Sequence, residues 1–468
     1  MRNLCNMKLP EAFITILRDM LTDDYETFEL SLSETSPVSI RKNQHKSVDS
    51  GISSSVFDGE ESVGWCSSGF YLPNRPSFTL DPLFHAGAYY VQEASSMFVE
   101  QFIRQHGSAQ PLIALDMCAA PGGKSTLLSS LLPDGSLFVS NEIVRHRCHI
   151  LCENMMKWGD PNIIVTNNRP SDYRLSGLLF DLILCDAPCS GEGMFRKDPQ
   201  SVEEWSEENV AMCAVRQREI LADCWECLKP GGLLLYSTCT YNQQEDEENA
   251  AFIYRELGGD PLSVGVEESW GVDTRNYAGD PLPVYHFFPH QARGEGFFIC
   301  GFRKPVEDNG SVSQKKDKKR KDSRRQAVTI PKELKGWIRR VEDFTFVSDE
   351  GETYHAFPKQ YVSLLESVKS RLNVMHYGVL LASSKGKKVR PEQSLAMSNV
   401  LNREAFPMVE VDVATALSYL RCEALSLPDA PRGYVLITFQ GYPLGFVNNI
   451  GSRANNLYPE QWRIRKTM

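Results

Sequence analysis

The chain has 468 residues, a net charge of −10, 42% hydrophobic and 24% charged residues, and 13 cysteines. Its length exceeds what one hydrophobic core fills and implies roughly two to four domains, its balance is that of an ordinary soluble protein, and no apolar run is long enough for a membrane helix. The cysteines form no disulfide framework, and the C-x-x-C of Cys224 and Cys227 lies on a helix with no second pair to complete a zinc site, which points to reduced thiols in a cytoplasmic protein that holds no metal.

Residues 8 to about 35 read as one amphipathic helix and a turn, and Pro10 and Asp19 break what a secretory signal would need to keep apolar. PVSIRKN (37–43) reads as a strand carrying Arg41. A Ser/Asp/Gly-rich loop and mixed strand and turn complete an α+β unit over 1–85. AYYVQEASSMFVEQFI (88–103) reads as a helix. LIALDM is then a strand ending at Asp116, CAAPGGK (118–124) a loop, and Ser125 the start of a helix. SLFVSNE (136–142) is a strand ending in Glu142, followed by a helix over 143–157 and a strand at 163–167. Strands at 180–185 and 232–237 flank a long helix at 206–228, and two more strands near 285 and 296–302 close the unit. Alternating strands and helices with glycine-rich strand exits predict an α/β fold with a doubly wound parallel sheet over 86–303.

A linker at 304–327 contains QKKDKKRKDSRR (314–325), the most basic stretch of an acidic chain. Beyond it, 328–405 reads as an α+β domain with a helix at 331–340, and 406–468 as a helix and two strands ending near Arg463, Arg465 and Lys466. Local basic stretches beside an enzyme domain permit nucleic-acid binding despite the acidic average.

The loop Cys118-Ala119-Ala120-Pro121-Gly122-Gly123-Lys124 is neither a P-loop nor a dinucleotide fingerprint, because the required earlier glycines are missing. What remains is a strand, a tight glycine turn and a helix N-terminus. Glu142, ending the next strand, is placed to accept hydrogen bonds from a ribose diol. A nucleoside cofactor without a triphosphate fits, and S-adenosylmethionine is the candidate.

Two cysteines follow apolar strands: Cys189 in DLILCDAPCSGEG (181–193) and Cys239 in LLLYSTCT (233–240). Ligands bind at such strand exits, and a thiol there can serve as nucleophile. Carbon 5 of cytosine is not nucleophilic. A thiolate added to carbon 6 makes it so, and a carboxylic acid such as Asp186 beside ring nitrogen 3 assists the addition. A second thiol has a role in release. Such a base must leave its stack, which suits single-stranded or loop RNA. Arg41, Arg196 and Lys197 are candidate RNA contacts.

CAAPGGK, DAPCSGEG, RKDP (196–199), LKPGG (228–232) and YSTCT (236–240) resemble the NOL/NOP/Sun family of RNA cytosine-C5 methyltransferases. RPSFTLDPLFHAGAYYVQEASSMF (75–98) and GYPLGFVNNIGSRANNLYP (441–459) are similar to the bacterial branch that modifies small-subunit ribosomal RNA. The resemblance implies a Rossmann-like class I methyltransferase domain, an RNA-binding N-terminal unit and a PUA-like RNA-binding domain at the C-terminal end. It implies Cys239 as the nucleophile, Cys189 in product release, Asp186 at both base and cofactor, and residues 118–124 with Glu142 as the cofactor site. Many relatives carry an Asp after the third strand; here VTNNRPSDY (165–173) puts Arg169 there, with Asn167 or Asn168 as polar alternatives. The expected partner is RNA, most simply 16S ribosomal RNA, bound by a monomer. Transfer RNA as substrate, or a silent RNA-binding assembly factor, are the alternatives.

Overall fold

The computed structural model describes residues 9–46, 57–306, 330–349, 352–385 and 388–466. The basic stretch 314–325 lies outside them. The helix expected near the start is two helices, α1 (Glu11–Leu21) and α2 (Tyr25–Ser31), because Thr22 turns to a positive φ of 51°. Both bury one face, with Phe13, Leu17 and Phe28 against Phe195, Trp205 and Phe288.

Four strands follow: β1 (Val38–Lys42), β2 (Glu61–Ser62), β3 (Gly69–Leu72) and, after the short α3 (Pro82–His85), β4 (Tyr89–Val91). They form a sheet in the order β2-β3-β1-β4. The helix expected over 88–103 is corrected here. The aromatic and β-branched residues Tyr89–Val91 pair with β1, Ile40 opposite Val91, and α-helix begins only at α4 (Val99–His106). A free strand edge outweighed the helical spacing.

The large sheet is built from β5 (Ile113–Asp116), α5 (Gly123–Leu131), β6 (Leu137–Asn141), α6 (Arg145–Trp158), β7 (Ile163–Thr166), α7 (Pro170–Ser176) and β8 (Phe180–Asp186). It continues through α8 (Pro199–Glu204), α9 (Glu207–Cys227), β9 (Leu228–Thr238), α10 (Glu247–Arg255), β10 (Asp260–Pro261), β11 (Tyr285–Phe287) and β12 (Phe297–Arg303). β9, β8, β5, β6 and β7 run parallel in that order, and β12 joins β9 antiparallel. Both faces are covered by apolar layers, one around Phe102, Leu127 and Leu151, the other around Leu221, Cys224 and Ile253. That is why the central strands read as unbroken apolar runs.

Next come β13 (Phe344–Asp349), β14 (Thr353–Pro358), α11 (Val362–Arg371), β15 (Val374–Tyr377), β16 (Val379–Lys385), β17 (Lys388–Pro391) and α12 (Gln393–Met397). The helix expected at 331–340 is a 3₁₀ stretch, Lys332–Trp337, which buries Leu334 alone. β13, β14, β16 and β17 make a sheet of their own. β15 does not join it: it pairs antiparallel with β7 and extends the large sheet. Last, β18 (Met408–Glu410), α13 (Val413–Leu420), β19 (Gly433–Phe439), β20 (Tyr442–Asn449) and β21 (Ala454–Asn456) form a fourth sheet. Its core is shared with the N-terminal unit, where Ile40, Leu72 and Leu83 meet Leu417, Leu420 and Ile437. Among the described residues no helix is long and apolar enough to cross a membrane.

Candidate active site

β5 is flanked by β6 on one side and β8 on the other, so the chain reverses direction across the sheet there. The crevice above such a switch point is where open α/β sheets bind ligands. β8 and β9 are neighbours in register, Asp186 opposite Ser237. Their exits therefore bring Cys189 and Cys239 together: the two Sγ atoms are 3.1 Å apart and both residues are half-buried. Hydrogen bonding to Cys239, burial and the charge of Glu245 hold the Cys189 thiol well above the ordinary range.

Asp186 Oδ1 lies 2.9 Å from Lys124 Nζ and accepts the Ser237 hydroxyl at 2.8 Å. The sequence groups Lys124 with the cofactor loop. The structure turns its ammonium to Asp186 and places it 4.9 Å above the Phe297 ring. Burial would lower the Lys124 pKa, but the charge and hydrogen bond of Asp186 outweigh it, and Cys239 and Asp116 add to the rise. A fixed positive charge thus faces the thiol pair.

On the other side of β5 the glycine loop meets the start of α5. Gly122 has φ +116°, a conformation closed to side chains, and lets the backbone turn directly into the helix. Asp116 is fully buried. Its Oδ2 accepts the Ser125 hydroxyl at 2.7 Å, while Oδ1 has no partner. Burial, aided by Asp186, pushes the Asp116 carboxyl up to about 7. Glu142 ends the next strand, where its Oε1 accepts the Val144 N–H at 2.8 Å and Arg147 stands 3.5 Å from Oε2. Arg147 also donates to the Ala120 carbonyl. An unpaired buried carboxylate oxygen at one end and a strand-end acid at the other suit a cofactor with an ammonium and a ribose. S-adenosylmethionine has both.

Several expected contacts are corrected. Arg41 is fully buried beneath the loop, donating to Gln92 Oε1, Thr126 Oγ1 and the Gly123 carbonyl, with its guanidinium 4.3 Å above Trp158. It braces the start of α5 and is out of reach of RNA. Arg196 is also buried, paired with Glu295 at 2.9 Å and donating to the Gly294 and Ser31 carbonyls. Lys197 is partly exposed, 3.4 Å from Glu295. Asn168 exchanges hydrogen bonds with the backbone of Asn373, just before β15, and Asn167 donates to the Glu142 and Ile143 carbonyls. Both asparagine side chains are committed to the protein. Arg169 is exposed at the start of α7.

Residues that the sequence did not single out also crowd the site. In the sequence Asp116 marks only a strand end. Glu192, inside DAPCSGEG, and Glu245, inside the acidic run QEDEEN, are buried behind the thiols. Their signal was charge in a stretch that had to be interior. Among the described residues no cluster of side chains suits a metal ion.

Residues 9–94, 108–303 and 406–464 match, respectively, families described as the N-terminal domain of 16S rRNA methyltransferase RsmF, 16S rRNA methyltransferase RsmB/F, and the methyltransferase RsmF PUA domain. A ribosomal RNA small subunit methyltransferase F from Shewanella loihica is 30% identical over 85% of this chain and 83% of its own. One from Escherichia coli K12 is 29% identical over 97% and 96%. Among solved structures, a methyltransferase homolog from Pyrococcus horikoshii is 26% identical, with a TM-score of 0.54 over 64% of this chain and 97% of its own. NSun6 from the same organism, at 19% identity and a TM-score of 0.53, shares the fold. Fold, glycine loop and relatives together define an S-adenosylmethionine-dependent methyltransferase with a PUA-like C-terminal domain. Within that class the chain belongs to the RsmF family, which it matches along nearly its whole length.

Proposed function

We propose that this enzyme methylates carbon 5 of a cytosine in 16S ribosomal RNA through a temporary bond to Cys239. The observation that carries this reading is the pair of thiols, 3.1 Å apart, at adjacent strand exits beside the Lys124–Asp186 ion pair. A lone thiol would serve addition; a pair suits addition and release. Bound S-adenosylmethionine supplies an electrophilic methyl group. Residues 118–123 and Glu142 would hold it, and the buried Asp116 would receive its ammonium.

Cys239 sulfur adds as a thiolate to carbon 6 of the flipped-out base, and the electron pair shifts to carbon 5. Asp186 contacts the base near ring nitrogen 3. Once carbon 5 carries the methyl group it passes its proton to a water molecule, and the C–H electron pair left behind forms the carbon 5–carbon 6 double bond and expels Cys239 as thiolate from carbon 6. Cys189, next to that bond, assists this release. The N-terminal unit and the PUA-like domain carry the RNA, and the names of the relatives favour the small ribosomal subunit.

Cys239→Ala is expected to abolish methyl transfer from radiolabelled S-adenosylmethionine while leaving cofactor affinity nearly unchanged. Cys189→Ala is expected to accumulate a protein–RNA adduct that survives denaturing electrophoresis. Unchanged turnover in both variants would sink the scheme. Bisulfite sequencing of ribosomal and transfer RNA from a deletion strain identifies the substrate: a cytosine that loses protection in transfer RNA alone contradicts the ribosomal assignment.

A further inference from the structure

Two glutamates behind the thiols have no part in the chemistry above, yet they are among the most deeply buried acidic side chains in the molecule. Glu192 stands on the loop that carries Cys189. It accepts the backbone N–H of Tyr241 at 2.8 Å, the Trp205 indole at 2.9 Å and the Asn242 amide at 2.9 Å. Glu245 stands on the segment that follows Cys239. It accepts the backbone N–H of Ser190 at 3.0 Å, the Gln217 amide at 2.7 Å and the same Asn242 amide at 2.9 Å.

Each glutamate therefore grips the backbone beside the other's cysteine. Glu192 reaches from the Cys189 loop to the residue two past Cys239, and Glu245 reaches back to the residue after Cys189. A backbone bond, Gly193 N–H to the Cys239 carbonyl at 2.8 Å, runs between the same two loops. There is no room for drift: a Cβ on Gly193 would lie 3.0 Å from that carbonyl and 2.7 Å from the Gly296 carbonyl.

Among the described residues no lysine or arginine pairs with either glutamate. Burying two carboxylates without a cation is costly, and apolar side chains would fill the space more cheaply. What leucines cannot do is accept N–H groups from two loops at once. We infer that Glu192 and Glu245 form a reciprocal brace that fixes the two cysteine loops against each other, each acting as a positioning residue for the thiol on the opposite loop. This rests on the assignment of Cys239 to addition and Cys189 to release.

The brace makes the two substitutions behave differently. Glutamine keeps the volume but turns an NH₂ toward N–H donors that need an acceptor. Glu245→Gln frees the Cys189 loop, so Cys239 still adds while release falters. With both thiols present, this variant should accumulate the denaturation-resistant RNA adduct, about tenfold above the parent, a size expected for a misplacement under an ångström. Glu192→Gln frees the Cys239 loop. In a Cys189→Ala background it should slow adduct formation, again about tenfold. The assay uses the full chain, S-adenosylmethionine and a 16S ribosomal RNA transcript, with cofactor affinity and thermal melting as checks on folding. Should Glu245→Gln fail to fold, Glu245→Asp, which withdraws the carboxylate by one methylene, takes its place. A trap in Cys189→Ala with none in the Glu245 variant overturns the brace alone, whether its turnover is lost or kept. Absence of a trap in Cys189→Ala overturns the thiol roles and the brace together.

Discussion

Asp116 illustrates what a buried acid costs. Its carboxyl titrates near 3.8 in an unfolded chain and at about 7 in the fold. A folded pKa above the unfolded one means that the fold holds the proton more tightly. Its contribution is therefore fully present below pH 3.8 and is lost as pH rises through about 7. Three buried histidines, His85, His355 and His376, pull the other way: held neutral with pKa values lowered to about 3, 4 and 3, they cost stability as pH falls below 6.5. The comparison that isolates the acid is Asp116→Asn against the parent without cofactor, since the histidines are common to both. Melting temperatures from pH 4 to 8 should show the variant gaining on the parent up to about pH 7 and levelling off above it; a constant gap throughout would mean that Asp116 titrates normally. Arg196 poses a different test. Arg196→Ala leaves Glu295 buried and poorly compensated, and should cost about 3 kcal/mol in urea unfolding. A purely RNA-facing arginine would leave stability untouched.

Among the elements, the central strands were legible in the sequence because burial on both faces forces unbroken apolar runs. Asp116, Glu142 and Asp186 marked the exits because polar residues can stand only where a strand leaves the sheet. The glycine loop and both cysteines followed from those exits. Tyr89–Val91 was misread because pairing with β1 depends on a partner about fifty residues away, and helical spacing alone does not reveal it. Arg41 and Arg196 were misplaced for a related reason. A cation in a polar stretch reads as surface, and only folding shows that it has carbonyls and a carboxylate waiting for it. Glu192 and Glu245 carry little signal in the sequence because acids are expected at the surface.

The C-terminal third of the chain is not an appendage. β15 caps the open edge of β7, and Asn373 occupies Asn167 and Asn168 beside the expected cofactor edge. A chain cut after residue 303 would expose Ile164 and Val165 along an unpaired strand. It is expected to aggregate, measured as loss of soluble yield and a rise in light scattering against the full chain. A monodisperse fragment that binds S-adenosylmethionine normally would show that β15 is dispensable.

The same strand has a consequence for how the protein is made. β15 meets β7 only when roughly two hundred further residues have been synthesised, and the core under Ile40 waits for Leu417 and Ile437. A nascent chain halfway through translation therefore holds its first sheet uncovered and its cofactor edge unfinished. An enzyme that modifies ribosomal RNA is in this way completed only after most of it has emerged from a ribosome.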